Sequence, residues 1–260
     1  MTMNDLLTAI VAHAWLTALV CSLFGYLAGS VSFARLVYFF VTKSTKLEPF
    51  SEPVPHSAET FESDLVSATL INKKLGARYG CLTSVLDMIK VALPTFITMV
   101  VLREQPWYLL TSLFGIIGHI YPVWHNFTGG RGESPILGSL LVINWFGLVI
   151  ANAAGIILGF ITGSVLVLRW SAYILLIFWF WIFFNTPWHI AYMILVCSLF
   201  WFSMRKDLKK FQELKKQKSI KFSEEDVSEF ILMGKGIGRT LDNYSLYALV
   251  KKRFTKDHPK

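Results

Sequence analysis

The chain has 260 residues, of which 54% are hydrophobic and only 16% are charged. Soluble domains average roughly 45–50% apolar and about 25% charged residues. With 21 Phe, 9 Trp and a mean hydropathy of +0.51, the composition excludes a disordered chain, a coiled coil and a disulfide scaffold. The 70 residues of 135–204 carry one formal charge, Arg169, and about 20 apolar residues cross a bilayer. The sequence therefore predicts an all-α polytopic membrane protein.

Apolar runs alternate with polar loops along the chain. The first run extends from Leu6 to about Val41 and is interrupted by Arg35. No basic region typical of a cleaved signal peptide precedes it, so we expect this run to be retained. The segments that follow are the polar stretch 42–80, the span Leu82–Leu102, the turn 103–105, the span Pro106–Trp124 and the polar connection His125–Ser134.

The nearly uncharged block 135–204 is divided by parity. If the N-terminus lies outside, both polar loops and the basic C-terminal tail are cytoplasmic, and the block contains an even number of crossings. Two crossings of about 35 residues exceed the usual range of roughly 17–25, so four are predicted, with breaks near Asn152, Arg169 and Asn185. We therefore expect about seven transmembrane helices in the plasma membrane, with the N-terminus outside and the C-terminus cytoplasmic.

Most of the net charge lies in the tail. Residues 205–260 contain 15 Lys+Arg and 8 Asp+Glu, which is +7 of the total of +8. Lys and Arg near span ends resist translocation and are attracted to anionic lipid. We predict a transmembrane domain, 1–204, and a basic cytoplasmic tail, 205–260, that is partly helical and binds an anionic lipid surface or a protein partner. Ser223 and Asp226, three residues apart, indicate a helix N-cap.

Two polar segments are candidates for a binding site. In the first, Gly118–Val123 leads to Phe127–Gly132, whose glycines let successive N–H groups converge on an anion. Arg131 adds a planar fork for two phosphate oxygens, although a tight turn with an inside charge gives the same pattern. His119 is either a hydrogen-bonded structural group or a functional one, as ionisable residues inside membranes tend to be.

The second candidate segment is 61–76, where small hydroxyl residues precede Lys73 and Lys74. This pattern fits a site for a phosphorylated substrate and also fits a capped amphipathic helix. Asp87 and Lys90 lie one helical turn apart inside the second span, where pairing lowers the cost of burial. The pair is either structural or functional.

The chain resembles the bacterial acyl-phosphate:glycerol-3-phosphate acyltransferases, a family of small seven-span membrane enzymes, over roughly residues 20–211. Gly25–Phe33 is similar to the family's G-Y-L-x-G-S-I-P-F. Residues 118–132 are similar to G-H-x-F-P-V followed by G-G-K-G, and Leu82–Lys90 to the L-L-D-x-L-K stretch. Order, spacing and membrane position agree.

Several positions depart from the family pattern. The family loop G-S-G-N-I-G-A-T-N-V-L-R falls on 62–73, where two of its glycines become Glu62 and Asp64. Its arginine becomes Lys73, and the lysine of G-G-K-G becomes Arg131. The family's R-H-R-x-N-I falls on 203–208. Its histidine and asparagine are replaced there by Met204 and Asp207.

The resemblance implies transfer of a fatty acyl group from acyl phosphate to the 1-hydroxyl of glycerol 3-phosphate, a step of phospholipid synthesis. Acyl phosphate is already activated, so no catalytic triad, metal or cofactor is expected. The implied catalytic residues are His119 and Arg131. The implied phosphate-binding residues are Ser63, Thr69, Lys73, Gly129, Gly130, Arg131 and Gly132.

Two other functions stay open at this point. One is a non-catalytic paralogue that serves as a lipid- or partner-binding membrane scaffold, favoured by the altered loop and by Met204. The other is an acyltransferase whose acceptor is less anionic than glycerol 3-phosphate, in keeping with Glu62 and Asp64. Nucleic acid is not an expected partner, because the basic tail directly follows a membrane span and anionic lipid is nearer.

Overall fold

The computed structural model describes residues 14–53, 60–63, 65–218, 223–231 and 236–257, and most of them are helical. The helices are α1 (Ala14–Gly29), α2 (Phe33–Thr42), α3 (Ala68–Leu75), α4 (Ala77–Val101), α5 (Trp107–Ile120), α6 (Glu133–Thr162), α7 (Val165–Phe183), α8 (Pro187–Lys218), α9 (Glu224–Ile231), α10 (Gly236–Tyr244) and α11 (Leu246–Asp257), with a 3-10 turn at Val123–His125.

One small sheet lies in the first polar segment. Strands β1 (Phe50–Pro53) and β2 (Thr60–Ser63) pair antiparallel, with Phe50 opposite Ser63. The all-α prediction missed this pair. The prolines in this segment are typical of loops, and the two short segments become strands only because they pair with each other.

Among the described residues, five helical segments are long and apolar enough to cross a membrane, so the prediction of a multi-pass membrane protein is confirmed. They are Ala14–Thr42, Ala77–Val101, Glu133–Thr162, Val165–Phe183 and Pro187–Lys210. Helix α5 is shorter, with 14 residues, and packs against α1, α4 and α8. The turn 103–105 lies between α4 and α5, as predicted.

Helix α6 changes direction at Asn144. A straight helix of 30 residues would be about 45 Å long, yet Glu133 at its start forms an ion pair with Arg169, which lies only seven residues after its end. Asn144 has non-helical backbone angles (φ −160°, ψ 81°) and accepts a hydrogen bond from the Gly147 N–H at 2.5 Å. The chain therefore folds back there, and both ends of α6 lie on one side.

Two of the three predicted breaks in the block 135–204 are wrong. Asn152 lies inside α6, where its side chain donates to the Leu148 carbonyl at 2.8 Å and so needs no turn. Arg169 lies inside α7, where the Glu133 carboxylate compensates its charge. The reversals come instead at Asn144 and at Gly163, whose φ of +69° suits glycine. The third break is confirmed, because α7 ends at Phe183 and α8 begins at Pro187.

Glycines let the first helix approach α5 closely. A Cβ added to Gly25 would overlap the Thr111 carbonyl, and one added to Gly29 would overlap the Gly115 carbonyl. Small residues at such contacts are what allow membrane helices to pack backbone against backbone. This packing places the break between α1 and α2 beside the end of α5, where His119 lies.

The C-terminal helices pack against the turn between α6 and α7. Ser223 caps α9 as predicted: the Asp226 N–H donates to Ser223 Oγ at 3.1 Å, and Ser223 N–H donates to Asp226 Oδ2 at 2.9 Å. The Glu224 carboxylate accepts a hydrogen bond from Val165 N–H, the first residue of α7, at 2.6 Å. Leu241 is fully buried in the main core. The described parts of the tail at 223–231 and 236–257 therefore form helices that pack against the membrane helices.

Candidate active site

Two loops predicted to form the site meet in the structure. The first is the glycine loop, which we define as Phe127–Gly132, and the second is the segment before α3. Val66 N–H donates to the Gly129 carbonyl at 3.0 Å, and Gly130 N–H donates to the His119 carbonyl at 3.2 Å. The glycine loop is thus held between the end of α5 and the start of α3.

The buried pair predicted in the second span, Asp87 and Lys90 on α4, holds the end of α5 and the break between α1 and α2 in place. Lys90 Nζ lies 2.9 Å from Asp87 Oδ1 and donates to the Val31 carbonyl at 2.6 Å. Val31 belongs to the short break between α1 and α2, so its carbonyl is free of a helical partner and Lys90 satisfies it. Asp87 Oδ1 also lies 3.6 Å from His119 Nδ1. Asp87, Lys90 and His119 are each less than 10% exposed.

His119 lies directly under the glycine loop. A Cβ added to Gly130 would overlap His119 Nε2. Only glycine leaves room for the ring at this position. A cavity of about 10 Å³ beside the ring is lined by Ser30, Asp87 and Lys90 among others, which is at the lower limit of the space that one water molecule needs. His119 is therefore placed to fix the loop from the protein side.

Arg131 points away from His119 and toward α8. Its Nε and Nη2 both donate to Asp207 Oδ2, at 3.1 and 2.8 Å. Both side chains are more than 90% buried. Gly132, at φ +87°, then starts α6 in a backbone conformation that favours glycine. Of the two residues predicted to be catalytic, His119 thus lies against Gly130, while the Arg131 side chain extends from the glycine loop toward α8.

The remaining predicted residues lie on or before α3. Thr69 and Lys73 are partly buried on this short helix, which begins two residues after Val66. The amphipathic-helix interpretation of 61–76 is therefore confirmed for the part that forms α3. Ser63 ends β2, and its side chain lies outside the described residues.

The structure adds two residues that sequence reasoning did not assign to the site. Arg35 Nη2 donates to the Thr128 carbonyl at 3.0 Å, and its interruption of the first apolar run was the available signal. His125 lies close by, and nothing in the sequence distinguished it. Partial burial and the positive charges of Arg35 and Lys90 lower the pKa of His125, so its ring is neutral at pH 7.

A larger cavity opens beside the glycine loop. Its volume is about 410 Å³, which lies in the range of small-molecule sites. Its walls include Arg35, Glu48, His125, Asn126 and Thr128. A cation, a neutral imidazole and an amide offer hydrogen bonds to a polar substrate there. Within the described ranges, no group of three or more His, Cys, Asp or Glu side chains is placed to hold a metal ion.

The chain matches known acyltransferases in sequence. It is 33% identical over 122 residues to the glycerol-3-phosphate acyltransferase of Myxococcus xanthus, which is 46% of this chain and 57% of that protein. It is 30% identical over 128 residues to the Aquifex aeolicus enzyme of that name, which is 49% of this chain and 60% of that protein. The aligned part is thus less than two thirds of these relatives.

A structural comparison shows the same fold. The crystal structure of PlsY, an integral membrane glycerol 3-phosphate acyltransferase, in its glycerol 3-phosphate form has a TM-score of 0.62 and 22% identity, over 76% of this chain and 94% of that one. Its lysophosphatidic acid form gives 0.60 at 21% identity. The family model described as glycerol-3-phosphate acyltransferase matches residues 19–213. This chain belongs to the glycerol-3-phosphate acyltransferase family.

Proposed function

We propose that this protein transfers a fatty acyl group from acyl phosphate to the 1-hydroxyl of glycerol 3-phosphate and forms lysophosphatidate for phospholipid synthesis. Membership of the family supports the reaction. The observation that carries it is the junction of the two candidate loops through Val66 and Gly129, with His119 beneath and a 410 Å³ cavity beside them.

The reaction needs little chemistry from the protein. The glycerol hydroxyl oxygen attacks the acyl carbonyl carbon, the bond from that carbon to the phosphate oxygen breaks, and the departing phosphate accepts the hydroxyl proton. Binding and orientation of two anionic substrates are then the main task. Glycine N–H groups and a cation are the donors that suit phosphate.

We assign the residues accordingly. Arg131 and the glycines Gly129, Gly130 and Gly132 hold a phosphate, with the N–H groups of Gly129 and Gly132 as donors, because the Gly130 N–H donates to the His119 carbonyl. Ser63, Thr69 and Lys73 line the same pocket. His119 acts from beneath, because its Nε2 lies against Gly130 and its Nδ1 faces Asp87. This assignment explains why His119 and Asp87, both ionisable, lie beside the glycine loop.

The scaffold alternative has its own support. Arg131 is already paired with a carboxylate, and Met204, at the family's histidine position, is 1% exposed in the main core. A paralogue without activity would keep the fold and these contacts. An acceptor less anionic than glycerol 3-phosphate fits the same observations.

Labelled acyl phosphate distinguishes these functions. The purified protein in lipid nanodiscs is given labelled acyl phosphate with either glycerol 3-phosphate or glycerol, and products are separated by chromatography. We expect labelled lysophosphatidate with glycerol 3-phosphate. Product with glycerol alone would identify a neutral acceptor, and no acyl product with either acceptor, above empty nanodiscs, would favour the scaffold.

We also propose the membrane arrangement. The reversal at Asn144 divides 133–204 into four passes, which supports seven spans when α1–α2, α4 and α5 are added. In this arrangement the N-terminus is outside, and the site loops and the tail are cytoplasmic. The division at 204/205 falls inside α8, which continues to Lys218, so the tail begins as an extension of the last span.

An anionic lipid surface is the proposed partner of the tail. Helix α11 contacts α6 and exposes an apolar set beside basic side chains: Leu246, Tyr247, Leu249 and Val250, with Lys251 and Arg253. Gly163, at the end of α6, lies next to Tyr247. A helix at this depth places apolar groups in the lipid interface and cations near the headgroups.

Cysteine labelling tests the arrangement. Cys81 is an exposed free thiol that would itself react, so it is first replaced by serine. In that background, we expect an impermeant maleimide to label Gln105→Cys in intact cells and Tyr244→Cys only after the membrane is opened. A bimane label on Leu249→Cys should be quenched by brominated lipid more strongly in nanodiscs with anionic lipid than in neutral ones. Labelling of Tyr244→Cys in intact cells would contradict the orientation, and equal quenching would contradict the lipid partner.

A further inference from the structure

The ion pair between Arg131 of the glycine loop and Asp207 of α8 is held by several hydrogen bonds. Asp207 Oδ2 accepts two hydrogen bonds from Arg131, at 3.1 and 2.8 Å, and each of the two side chains is 9% exposed. One turn earlier on α8, Ser203 Oγ donates to the Arg131 carbonyl at 2.8 Å. Both the backbone and the side chain of Arg131 are thus attached to α8.

The Arg131 guanidinium, which would bind a phosphate, already binds the Asp207 carboxylate. Two guanidinium donors of Arg131 that could reach phosphate oxygens already bind a carboxylate. A phosphate approaching Arg131 therefore meets a neutral pair instead of a cation. To bind Arg131 directly, the phosphate must displace the Asp207 carboxylate, and the two anions then repel each other strongly where water does not screen them.

We propose that Asp207 is a selectivity residue that acts as an internal counter-anion. It occupies Arg131 in the absence of substrate, and a phosphate monoester gains Arg131 only by displacing it. The energy needed to separate the pair lowers the affinity of the site for phosphate monoesters, glycerol 3-phosphate included, relative to ligands that do not need Arg131. This inference rests on the proposed function, because it takes Arg131 as part of the substrate site.

The test compares Asp207→Asn with wild type. Asparagine keeps a carbonyl oxygen for Arg131 but removes the charge, so we expect the dissociation constant for inorganic phosphate, measured by thermal shift in detergent, to fall by about tenfold or more. The KM for glycerol 3-phosphate should fall by a similar factor, with kcat within about threefold. Glu213→Gln, an exposed carboxylate on the same helix, is the matched control and should behave as wild type.

Phosphate binding decides the inference even without catalysis. If neither the wild type nor the variants transfer acyl groups, the proposed function fails. Tighter phosphate binding by Asp207→Asn than by the wild type would still support the role of Asp207. Unchanged or weaker phosphate binding by Asp207→Asn overturns it. If that variant does not fold, Asp207→Ser is measured in its place, and failure of both to fold in the presence of phosphate shows that the pair is only structural.

Discussion

Replacing Arg131 by alanine is expected to reduce acyl transfer by about 100-fold or more in kcat/KM, a loss of about 2.7 kcal/mol. Hydrogen bonds to charged groups contribute about 1.5–3 kcal/mol, and Arg131 has two or more donors to give. The substitution also leaves the buried Asp207 carboxylate facing an incoming phosphate. Initial rates with labelled acyl phosphate measure the effect.

Two further variants separate charge from folding in this prediction. The double variant Arg131→Ala/Asp207→Asn removes both buried charges, so it should fold at least as well as the single variant and still bind no phosphate. Arg131→Lys keeps the charge without the two-donor fork, and we expect it to retain part of the activity. Wild-type rates in Arg131→Ala would contradict the role of Arg131.

The sequence predicted the class of fold but not every reversal of the chain. Long apolar runs require membrane helices. The boundary between α7 and α8 is visible in the local sequence, because Pro187 suits the first position of a helix and not its interior. The reversal at Asn144 has no such mark. It depends on the ion pair of Glu133 with Arg169, residues 36 apart, which brings the start of α6 back toward α7. Contacts distant in sequence leave no periodic pattern from which to predict them.

The site shows the same limit. Glycines and a cation in one segment indicated an anion site, and the structure joins that segment to Val66 through a backbone hydrogen bond. The partner of Arg131 was not predicted, although the substitution at Asp207 was visible in the sequence. A charged residue indicates that a partner exists, but the identity of the partner follows from how α8 packs beside the glycine loop.

The largest loss of stability is expected from Lys90→Met. Lys90 is 8% exposed, forms an ion pair with Asp87 at 2.9 Å and donates a hydrogen bond to the Val31 carbonyl. Methionine has a similar volume but no donor, so it leaves a buried charge and a buried carbonyl without Lys90. Breaking a buried ion pair from one side costs about 3–5 kcal/mol. We expect the midpoint of thermal unfolding in detergent to fall by about 10 °C, at roughly 2–4 °C per kcal/mol.

The double variant Asp87→Asn/Lys90→Met tests the cause of that loss. If the uncompensated carboxylate is the main cost, neutralising Asp87 recovers a large part of the midpoint, because an amide is far less costly to bury than a charge. Lys206→Met, an exposed lysine on α8, is the matched control and should leave the midpoint unchanged. A midpoint for Lys90→Met within about 2 °C of wild type, less than 1 kcal/mol, would show that water satisfies these groups. The cluster beneath the glycine loop would then be too open to hold that loop in place.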